Sequence, residues 1–294
     1  MVKCFLCPRD CGVDRSQGEI GCCAVTNLMA ARAALHFWEE PILSGQKGSG
    51  AIFFSGCNLH CVFCQNQAIS NGEAGKSISQ ERLTEICLEL QAKEAHNINL
   101  VTGTHFTPQI AAAIRSAKEQ GLRIPVIWNS SAYEKPETLR LLEGAVDIWL
   151  PDLKYISSQL SALYSHAANY FAVAKEAIQE MFRQCGPFQL GSDGMLKRGM
   201  IIRYLLLPGC VEDGKQVLRY VHETYGDAVF LSVMNQYTPL PHVANYPALN
   251  RKVTQAEYEE LLDYAESLDI EYGFLQEGDA AEESFIPQFN GEGL

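Results

Sequence analysis

Apolar residues recur along the chain in two patterns, as short continuous runs and as longer stretches with a spacing of three or four. Short apolar runs are typical of strands buried on both faces, whereas the longer spacing is typical of amphipathic helices. The predicted strands cover residues 51–55, 98–101, 124–128, 146–150, 199–207 and 229–234. The predicted helices begin near residues 79, 107, 136, 157 and 254. Strands and helices therefore alternate from residue 51 onward.

Boundary signals support several of these elements. Ser79 and Thr107 stand in N-cap positions, and Thr254-Gln-Ala-Glu257 has the pattern of a capping box. Ser192-Asp-Gly194 predicts a hairpin turn ahead of the fifth strand. These signals mark where three of the predicted helices begin and where the chain turns into the fifth strand.

The alternation predicts a parallel sheet with right-handed crossovers. Six strand–helix units fit the chain, fewer than the eight of a closed barrel. We divide the chain into a cysteine-rich lead at residues 1–45, a barrel at residues 46–275 and an acidic tail at residues 276–294. The tail has five acidic residues and neither Lys nor Arg. We expect partial order in it, because Phe285 and Phe289 need somewhere to pack.

Composition narrows the class of protein. The 294 residues are 47% hydrophobic and 20% charged, which is ordinary for a globular chain. A formal net charge of −12 argues against a nucleic-acid-binding surface. No apolar run approaches the roughly 20 residues that cross a bilayer, and the N-terminus lacks a signal-peptide pattern. We therefore expect a cytoplasmic protein that binds neither nucleic acid nor membrane.

Cysteine is the residue type that changes this picture. Eight of the eleven cysteines lie in the first 64 residues. In a reducing compartment, clustered cysteines are metal ligands or catalysts more often than disulfides. The clustering therefore predicts metal chemistry.

Cys57, Cys61 and Cys64 have the spacing C-x3-C-x2-C on the loop after the first predicted strand. Three thiolates can hold a four-iron cluster and leave one iron without a protein ligand. The alternatives are a zinc knuckle or three buried core thiols. A zinc site needs a fourth ligand, which His60 is badly placed to supply beside Cys61.

With Phe63 before the third cysteine, this loop resembles that of the radical S-adenosylmethionine (SAM) superfamily. The resemblance implies a [4Fe-4S] cluster whose open iron is chelated by the methionine group of SAM. It also implies that an electron from the reduced cluster, supplied by a flavodoxin- or ferredoxin-type donor, releases a 5′-deoxyadenosyl radical. The predicted fold class is accordingly α/β, a partial (β/α)6 TIM-like barrel with a short cysteine-rich N-terminal lead.

Residues at later strand ends resemble the pyruvate formate-lyase activating enzymes of that superfamily. Asp152 and Lys154 follow the fourth strand and look like an Asp-x-Lys motif that contacts SAM; the alternative is a surface ion pair. Arg203 lies inside the apolar fifth strand, where a buried guanidinium needs a partner, and resembles an arginine that approaches SAM. Asn129 and Ser130 resemble a polar turn that reads the SAM ribose.

The segment after the second strand departs from that pattern. The activating enzymes carry a Gly-Gly-Glu type segment there for the SAM amino group, whereas this chain has Thr102, Gly103, Thr104 and His105 without a carboxylate. Gly103 lets backbone carbonyls approach an ammonium, and the threonines offer hydroxyls. His105 is a candidate general acid or base, with a hydrogen-bonded loop histidine as the alternative.

The cysteine-rich lead resembles an uncharacterised group related to the activating enzymes. Cys4, Cys7, Cys11 and Cys22, or Cys23 in its place, supply four thiols. This set suits a structural zinc or one auxiliary iron–sulfur cluster. A lead without metal is the third alternative.

Three functions fit these observations. The first is a radical SAM enzyme that abstracts hydrogen from a substrate, with the glycine of a glycyl-radical enzyme as one candidate. The second is a radical SAM enzyme that modifies a small molecule or a peptide. The third is an iron–sulfur protein that carries electrons without SAM chemistry, and it has no use for Asp152, Lys154 and Arg203.

Overall fold

The six strands predicted from the apolar runs are all present and lie in the order of the sequence. The computed structural model describes residues 3–276 and 287–294. The strands of these residues are β1 (Met29–His36), β2 (Ser49–Phe54), β3 (Lys76–Ser77), β4 (Ile98–Val101), β5 (Val126–Ser130), β6 (Ile148–Pro151), β7 (Gln189–Leu190), β8 (Leu196–Leu205), β9 (Phe230–Met234) and β10 (Gly273–Leu275).

A parallel sheet forms the centre of the fold. Strands β2, β4, β5, β6, β8, β9 and β10 pair in that order, each parallel to the next. On the far side of β2, β1 and then β3 are antiparallel additions. The pairing of the described residues is an open path from β10 to β3. The predicted partial barrel is confirmed, with a short seventh parallel strand that the sequence pattern did not reveal.

Helices connect the parallel strands. They are α1 (Pro41–Ser44), α2 (Gln67–Ser70), α3 (Gln80–Ala92), α4 (Thr107–Glu119), α5 (Pro136–Leu139), α6 (Ser158–Ser165), α7 (Tyr170–Cys185), α8 (Val211–Tyr225) and α9 (Gln255–Ser267). In the part of the chain that the structure describes, no helix combines the length and apolar character that a bilayer crossing requires.

Two predicted caps are present and one is shifted. Ser79 accepts from the backbone N–H of the third helical residue, and Thr254 and Glu257 form a capping box. Thr107 is the first residue of α4 rather than its cap. Its hydroxyl donates instead to the carbonyl of Thr104, 2.8 Å away.

β1 lies inside the segment predicted as the lead. It pairs with β2 from Ala30 to His36, so the sheet begins at Met29 and the boundary at residue 45 separates two paired strands. The sequence of β1, Met-Ala-Ala-Arg-Ala-Ala-Leu-His, has no period-two pattern and is rich in Ala, which has low strand propensity. The strand therefore gave no signal in the sequence.

Successive strand residues face different layers, as the pleat requires. In β5, Trp128 packs toward the helices, whereas Ile127 and Asn129 face the barrel interior. The barrel interior near the amino ends of the parallel strands is apolar and includes Leu43 of α1, which is fully buried. Near the carboxyl ends of the strands the interior is polar and open.

The end of the chain packs on β1. Phe289 meets Phe53 edge-on with ring centroids 5.5 Å apart, and Glu292 pairs with Arg32. The expected order of the tail is thus present at residues 287–294, while Phe285 lies outside the described residues.

Candidate functional site

The three cysteines of the C-x3-C-x2-C spacing lie on the loop that follows β2. Gly56 turns the chain into this loop with a φ of +85°, and a Cβ there would meet the carbonyl oxygen of Cys23. Cys57, Cys61 and Cys64 are half-buried and line one cavity of about 430 Å³. The loop therefore lies at the carboxyl end of a buried parallel strand, as predicted.

Hydrogen-bond donors reach the sulfurs of the cysteine loop, including the Asn66 backbone at Cys64. Ser165 Oγ donates to Cys61 Sγ over 3.0 Å, and the Leu59 backbone N–H donates to Cys57 Sγ over 3.4 Å. Burial raises the pKa of Cys61 to about 11 and that of Cys64 to about 12, so both thiols stay protonated unless a metal displaces their protons. Donors aimed at sulfur, beside an open cavity, fit the thiolate ligands of an iron–sulfur cluster.

Four charged side chains of alternating sign cross the barrel interior. Lys154 Nζ donates to Asp152 Oδ2 over 2.9 Å, and Arg203 Nε donates to Asp152 Oδ1 over 2.8 Å. Arg203 also donates to Glu39 Oε2 over 2.9 Å and to Asn129 Oδ1 over 2.7 Å. We call Lys154, Asp152, Arg203 and Glu39 the ion-pair chain. It rules out the alternative of a surface pair, since none of the four side chains is more than 23% exposed.

The ion-pair chain stays charged although it is buried. Burial alone would raise the pKa of Asp152, but Arg203 and Lys154 hold that pKa below its usual value. Burial likewise opposes the charge on Lys154, but Asp152 and then Cys61 raise the pKa of its ammonium. Lys154 and Cys61 also line the same cavity, which brings the ion-pair chain to the cysteine loop.

Asn129 and Ser130 also line the cavity, and a buried carboxylate supports the second of them. Glu134 has no exposed surface and accepts from Ser130 Oγ over 2.5 Å and from Thr104 Oγ1 over 2.8 Å. Trp128 Nε1 donates to the same carboxylate over 3.0 Å. Glu134 therefore fixes the loops after β4 and β5 to each other.

The segment after β4 divides between the cavity and the packed layer behind it. Thr102 has a φ of +61° and lines the cavity. A Cβ on Gly103 would lie 2.6 Å from the Ile110 side chain, so Gly103 faces α4. Thr104 is buried on Glu134. Thr102 is thus the one of these three residues that reaches the cavity.

His105 lies behind the cysteine loop. It is 1% exposed, and its Nε2 is 2.8 Å from the carbonyl oxygen of Ser55. Burial lowers the pKa of His105 to about 3, which keeps the ring neutral. His105 does not line the cavity, so its predicted acid–base role gains no support, and the geometry favours a hydrogen-bonded loop histidine.

The N-terminal lead gathers four thiols. Cys7 interacts electrostatically with Cys23 and Cys11, and Cys23 with Cys4 and Cys11. Cys22 is exposed, whereas Cys23 is buried. Among the described residues no three His, Cys, Asp or Glu side chains are arranged to hold a metal ion. A metal in the lead stays a prediction, and Cys23 fits it better than Cys22.

Arg9 fastens the lead to the cysteine loop. Its guanidinium donates to the carbonyl oxygens of Asn58 and Leu59 over 2.8 and 3.2 Å. It also donates to those of Ser165 and His166 over 3.0 and 2.6 Å. The lead therefore braces the loop that carries Cys57, Cys61 and Cys64.

Several site residues escaped the sequence analysis, Glu39, Glu134 and Tyr170 among them. Glu39 lies in the connector between β1 and β2. The only hint of its role in the sequence is the pair of adjacent acids, Glu39 and Glu40, before Pro41. Tyr170 OH accepts from the Lys154 backbone N–H over 2.9 Å and lies 2.8 Å from the Asp152 carbonyl oxygen. Its place on the buried stripe of α7 gave no hint of this contact.

Comparisons with known proteins agree with this geometry. A family model described as the radical SAM superfamily matches residues 51–195. Over 285 residues the chain is 30% identical to the uncharacterized protein MJ0674 of Methanocaldococcus jannaschii, covering 92% of this chain and 76% of that protein.

The fold is similar to solved structures of SuiB from Streptococcus suis. SuiB bound to the precursor peptide SuiA matches with a TM-score of 0.51 and 16% identity over 76% of this chain. SuiB bound to S-adenosylmethionine matches with a TM-score of 0.50 and 14% identity over 78% of this chain. The chain spans 46% of the length of SuiB in both cases, and the likeness concerns the fold alone.

Proposed function

This protein belongs to the radical SAM superfamily, and we propose that it cleaves SAM reductively at a [4Fe-4S] cluster and then abstracts hydrogen from a substrate. One observation carries the proposal: the three thiols of the cysteine loop, the polar ends of β4 and β5 and the ion-pair chain all line a single cavity. An electron carrier has no use for the last two features.

The residues present fit both cofactors. Cys57, Cys61 and Cys64 would hold three irons, and Asn129 and Ser130 would meet the ribose of SAM. When bound, the reduced cluster would supply one electron that breaks the C5′–S bond of SAM and yields a 5′-deoxyadenosyl radical.

Lys154 is the residue best placed to bind the carboxylate of SAM. Its charge lies beside Cys61, close to where the open iron would be, and one hydrogen bond to Asp152 leaves other donors free. Arg203 differs, because its donors are directed to Asp152, Glu39 and Asn129. We therefore assign Arg203 to positioning these three groups rather than to direct contact with SAM.

Phe63 forms an apolar wall on the cysteine loop. It is 8% exposed and meets Tyr155 and Tyr237 edge-on, each with ring centroids 6.4 Å apart. Such a wall excludes water from the space above the thiols, which protects a reactive species from side reactions.

The substrate we propose is a protein or peptide. The glycine of a glycyl-radical enzyme is the first candidate, supported by the resemblance of Asp152 and Lys154 to the activating enzymes. Modification of a peptide is the second, favoured by the similarity to SuiB, a protein solved with a precursor peptide.

The proposal includes a donor, a location and a second metal. We expect a flavodoxin- or ferredoxin-type donor in the cytoplasm, a reducing compartment that suits eleven cysteines without a disulfide among them. We also expect a structural zinc or one auxiliary iron–sulfur cluster in the lead. The electrostatic interactions that link Cys23 to Cys4, Cys7 and Cys11 support this metal.

The test is anaerobic reconstitution with iron and sulfide, reduction with dithionite in the presence of SAM, and product analysis. We expect slow formation of 5′-deoxyadenosine and methionine without substrate. With a deuterated candidate substrate, the label should enter 5′-deoxyadenosine. A fully loaded cluster that binds SAM and never cleaves it at C5′ would support the electron-carrier alternative.

A further inference from the structure

Two adjacent carboxylates reach the cavity from the end opposite to the cysteine loop. His36 pairs with Ser49, the first residue of β2, so the chain that follows β1 leaves at the amino end of the parallel strands. Glu39 and Glu40 come from this connector and line the cavity. We call these two residues the cavity floor. The cysteines, by contrast, enter at the carboxyl end of β2.

Glu39 has partners for both of its oxygens. Oε2 accepts from Arg203 over 2.9 Å, and Oε1 accepts from Asn99 Nδ2 over 2.8 Å. These bonds tie the connector to β4 and β8 and fix the position of the cavity floor. Asn99 Oδ1, on the same amide, is buried without a hydrogen-bond donor. Acceptors therefore outnumber donors beside Glu39.

Glu40 is the unpartnered member of the cavity floor. Its side chain belongs to a residue that is 8% exposed, and its Oε2 is buried without a hydrogen-bond partner in the described part of the chain. Ser232 interacts with the same carboxyl group. Glu40 precedes α1 but does not cap it through its side chain. A buried carboxylate oxygen without a donor costs free energy and is found mainly where function requires it.

With Glu40 ionised, the charges around the cavity do not balance. Its described lining carries two cations and three carboxylates, namely Lys154, Arg203, Asp152, Glu39 and Glu40. The remaining basic group of the lining, His36, is neutral because burial lowers its pKa to about 4. Arg203 attracts Glu40, but its nitrogens are directed to other acceptors. One carboxylate is left over for a cation from outside the chain.

We infer that the cavity floor binds an alkylammonium group of the substrate, with the Glu40 carboxylate as its charged acceptor. The substrate is then an amine-bearing molecule, such as a peptide with a lysine side chain. An ammonium donates up to three hydrogen bonds, and it meets a carboxylate that lacks one. Anchored at the floor, the substrate extends toward the cysteine loop at the other end of the cavity.

This inference rests on the proposed function, because it names the substrate class of the same cavity. Binding to the floor is nevertheless separate from SAM cleavage, so the two fail independently. The measurement is calorimetric binding to the full chain, reconstituted with its cluster and loaded with SAM. SAM loading occupies the sites near the cysteines and leaves the floor as the target.

Two probes with the same carbon chain isolate the contribution of the ammonium group. Nα-acetyl-lysine amide carries the ammonium, and Nα-acetyl-norleucine amide lacks it. We expect the lysine probe to bind at least about tenfold more tightly than the norleucine probe. Glu40→Gln, which keeps the shape and removes the charge, should erase that difference. Glu119→Gln, an exposed substitution at the end of α4, should preserve it.

The outcomes separate clearly. Equal affinity for both probes, or an unchanged preference in Glu40→Gln, would overturn the inference even if SAM is cleaved. A loss of lysine binding in Glu40→Gln, with the iron content of the original protein and a cooperative urea-unfolding transition, would support it.

Discussion

Arg203 and Glu39 form a 2.9 Å ion pair across 164 residues of sequence. The pair joins β8, in the middle of the sheet, to the connector between β1 and β2. Both side chains are nearly buried, at 12% and 8% exposure. Arg203 also donates to Asp152, which in turn accepts from Lys154 beside the cysteine loop. Arg203, from a strand of mostly apolar sequence, therefore links the charged residues of the barrel interior to one another.

Removal of this guanidinium should cost stability. Arg203→Ala would leave Asp152 and Glu39 buried without their shared cation, which is expected to cost about 3–5 kcal/mol. Urea unfolding measures the loss. Lys47→Ala, in a surface pair with Glu94 whose side chains are 51% and 74% exposed, serves as the control and should cost at most about 1 kcal/mol. Similar values for both variants would contradict the role given to Arg203.

Lys154 should matter for SAM rather than for the fold. Lys154→Met keeps most of the aliphatic stem and removes one charge-assisted bond, worth about 1.5–3 kcal/mol or roughly ten- to a hundredfold in SAM affinity. Iron content should not change. Lys197→Met, in a surface pair with Asp193, is the matched control and should bind SAM normally. Unchanged affinity in Lys154→Met would assign the carboxylate of SAM to another residue.

How far the sequence predicts this site depends on whether the signal is local. The cysteine loop and Lys154 follow strands with clear apolar runs, so their common location could be inferred from topology. Glu39 and Glu134 could not, because their roles arise from contacts between distant segments. Glu39 follows an alanine-rich strand without a period-two pattern. His105 shows the reverse case, since this polar residue after a strand is a candidate general acid or base in the sequence but packs behind the cysteine loop in the structure.

If Cys57, Cys61 and Cys64 hold a [4Fe-4S] cluster, their substitution should remove its EPR response to SAM. Reduced, reconstituted protein should give a [4Fe-4S] EPR signal that changes on addition of SAM, because SAM enters the open iron site. Alanine at Cys57, Cys61 or Cys64 should abolish that response. Cys87→Ala is the control, since Cys87 lies on the fully buried face of α3. A SAM-responsive signal that survives any of the first three substitutions would refute the assignment.

Glu40 should make stability depend on pH. Burial raises the pKa of Glu40, with Glu39 adding to the rise and Arg203 opposing it, from a value of 4.5 in the unfolded chain. The contribution of Glu40 to stability is then fully present below about pH 4.5 and is lost as the pH rises through the folded-state pKa. Glu40→Gln does not titrate.

The stability of Glu40→Gln relative to the original protein should therefore increase from about pH 5 to about pH 8. Urea unfolding of the full chain at both pH values gives the comparison. Glu119→Gln provides the baseline, because residue 119 is exposed. A pH-independent difference between Glu40→Gln and the original protein would mean that burial does not raise the pKa of Glu40.

Two adjacent cysteines offer the sharpest test of the metal in the lead. Cys23 is buried and interacts with the thiols of Cys4 and Cys11, whereas Cys22 is exposed. If the lead binds zinc or an auxiliary cluster through four thiolates, Cys23→Ala should lose that metal and Cys22→Ala should keep it. Elemental analysis of zinc and iron in the reconstituted variants measures the difference. The cysteine loop should retain its SAM-responsive EPR signal in both. Equal metal content in the two variants would mean that Cys23 is not a ligand. A loss confined to Cys22→Ala would mean that Cys22, rather than Cys23, is the fourth ligand.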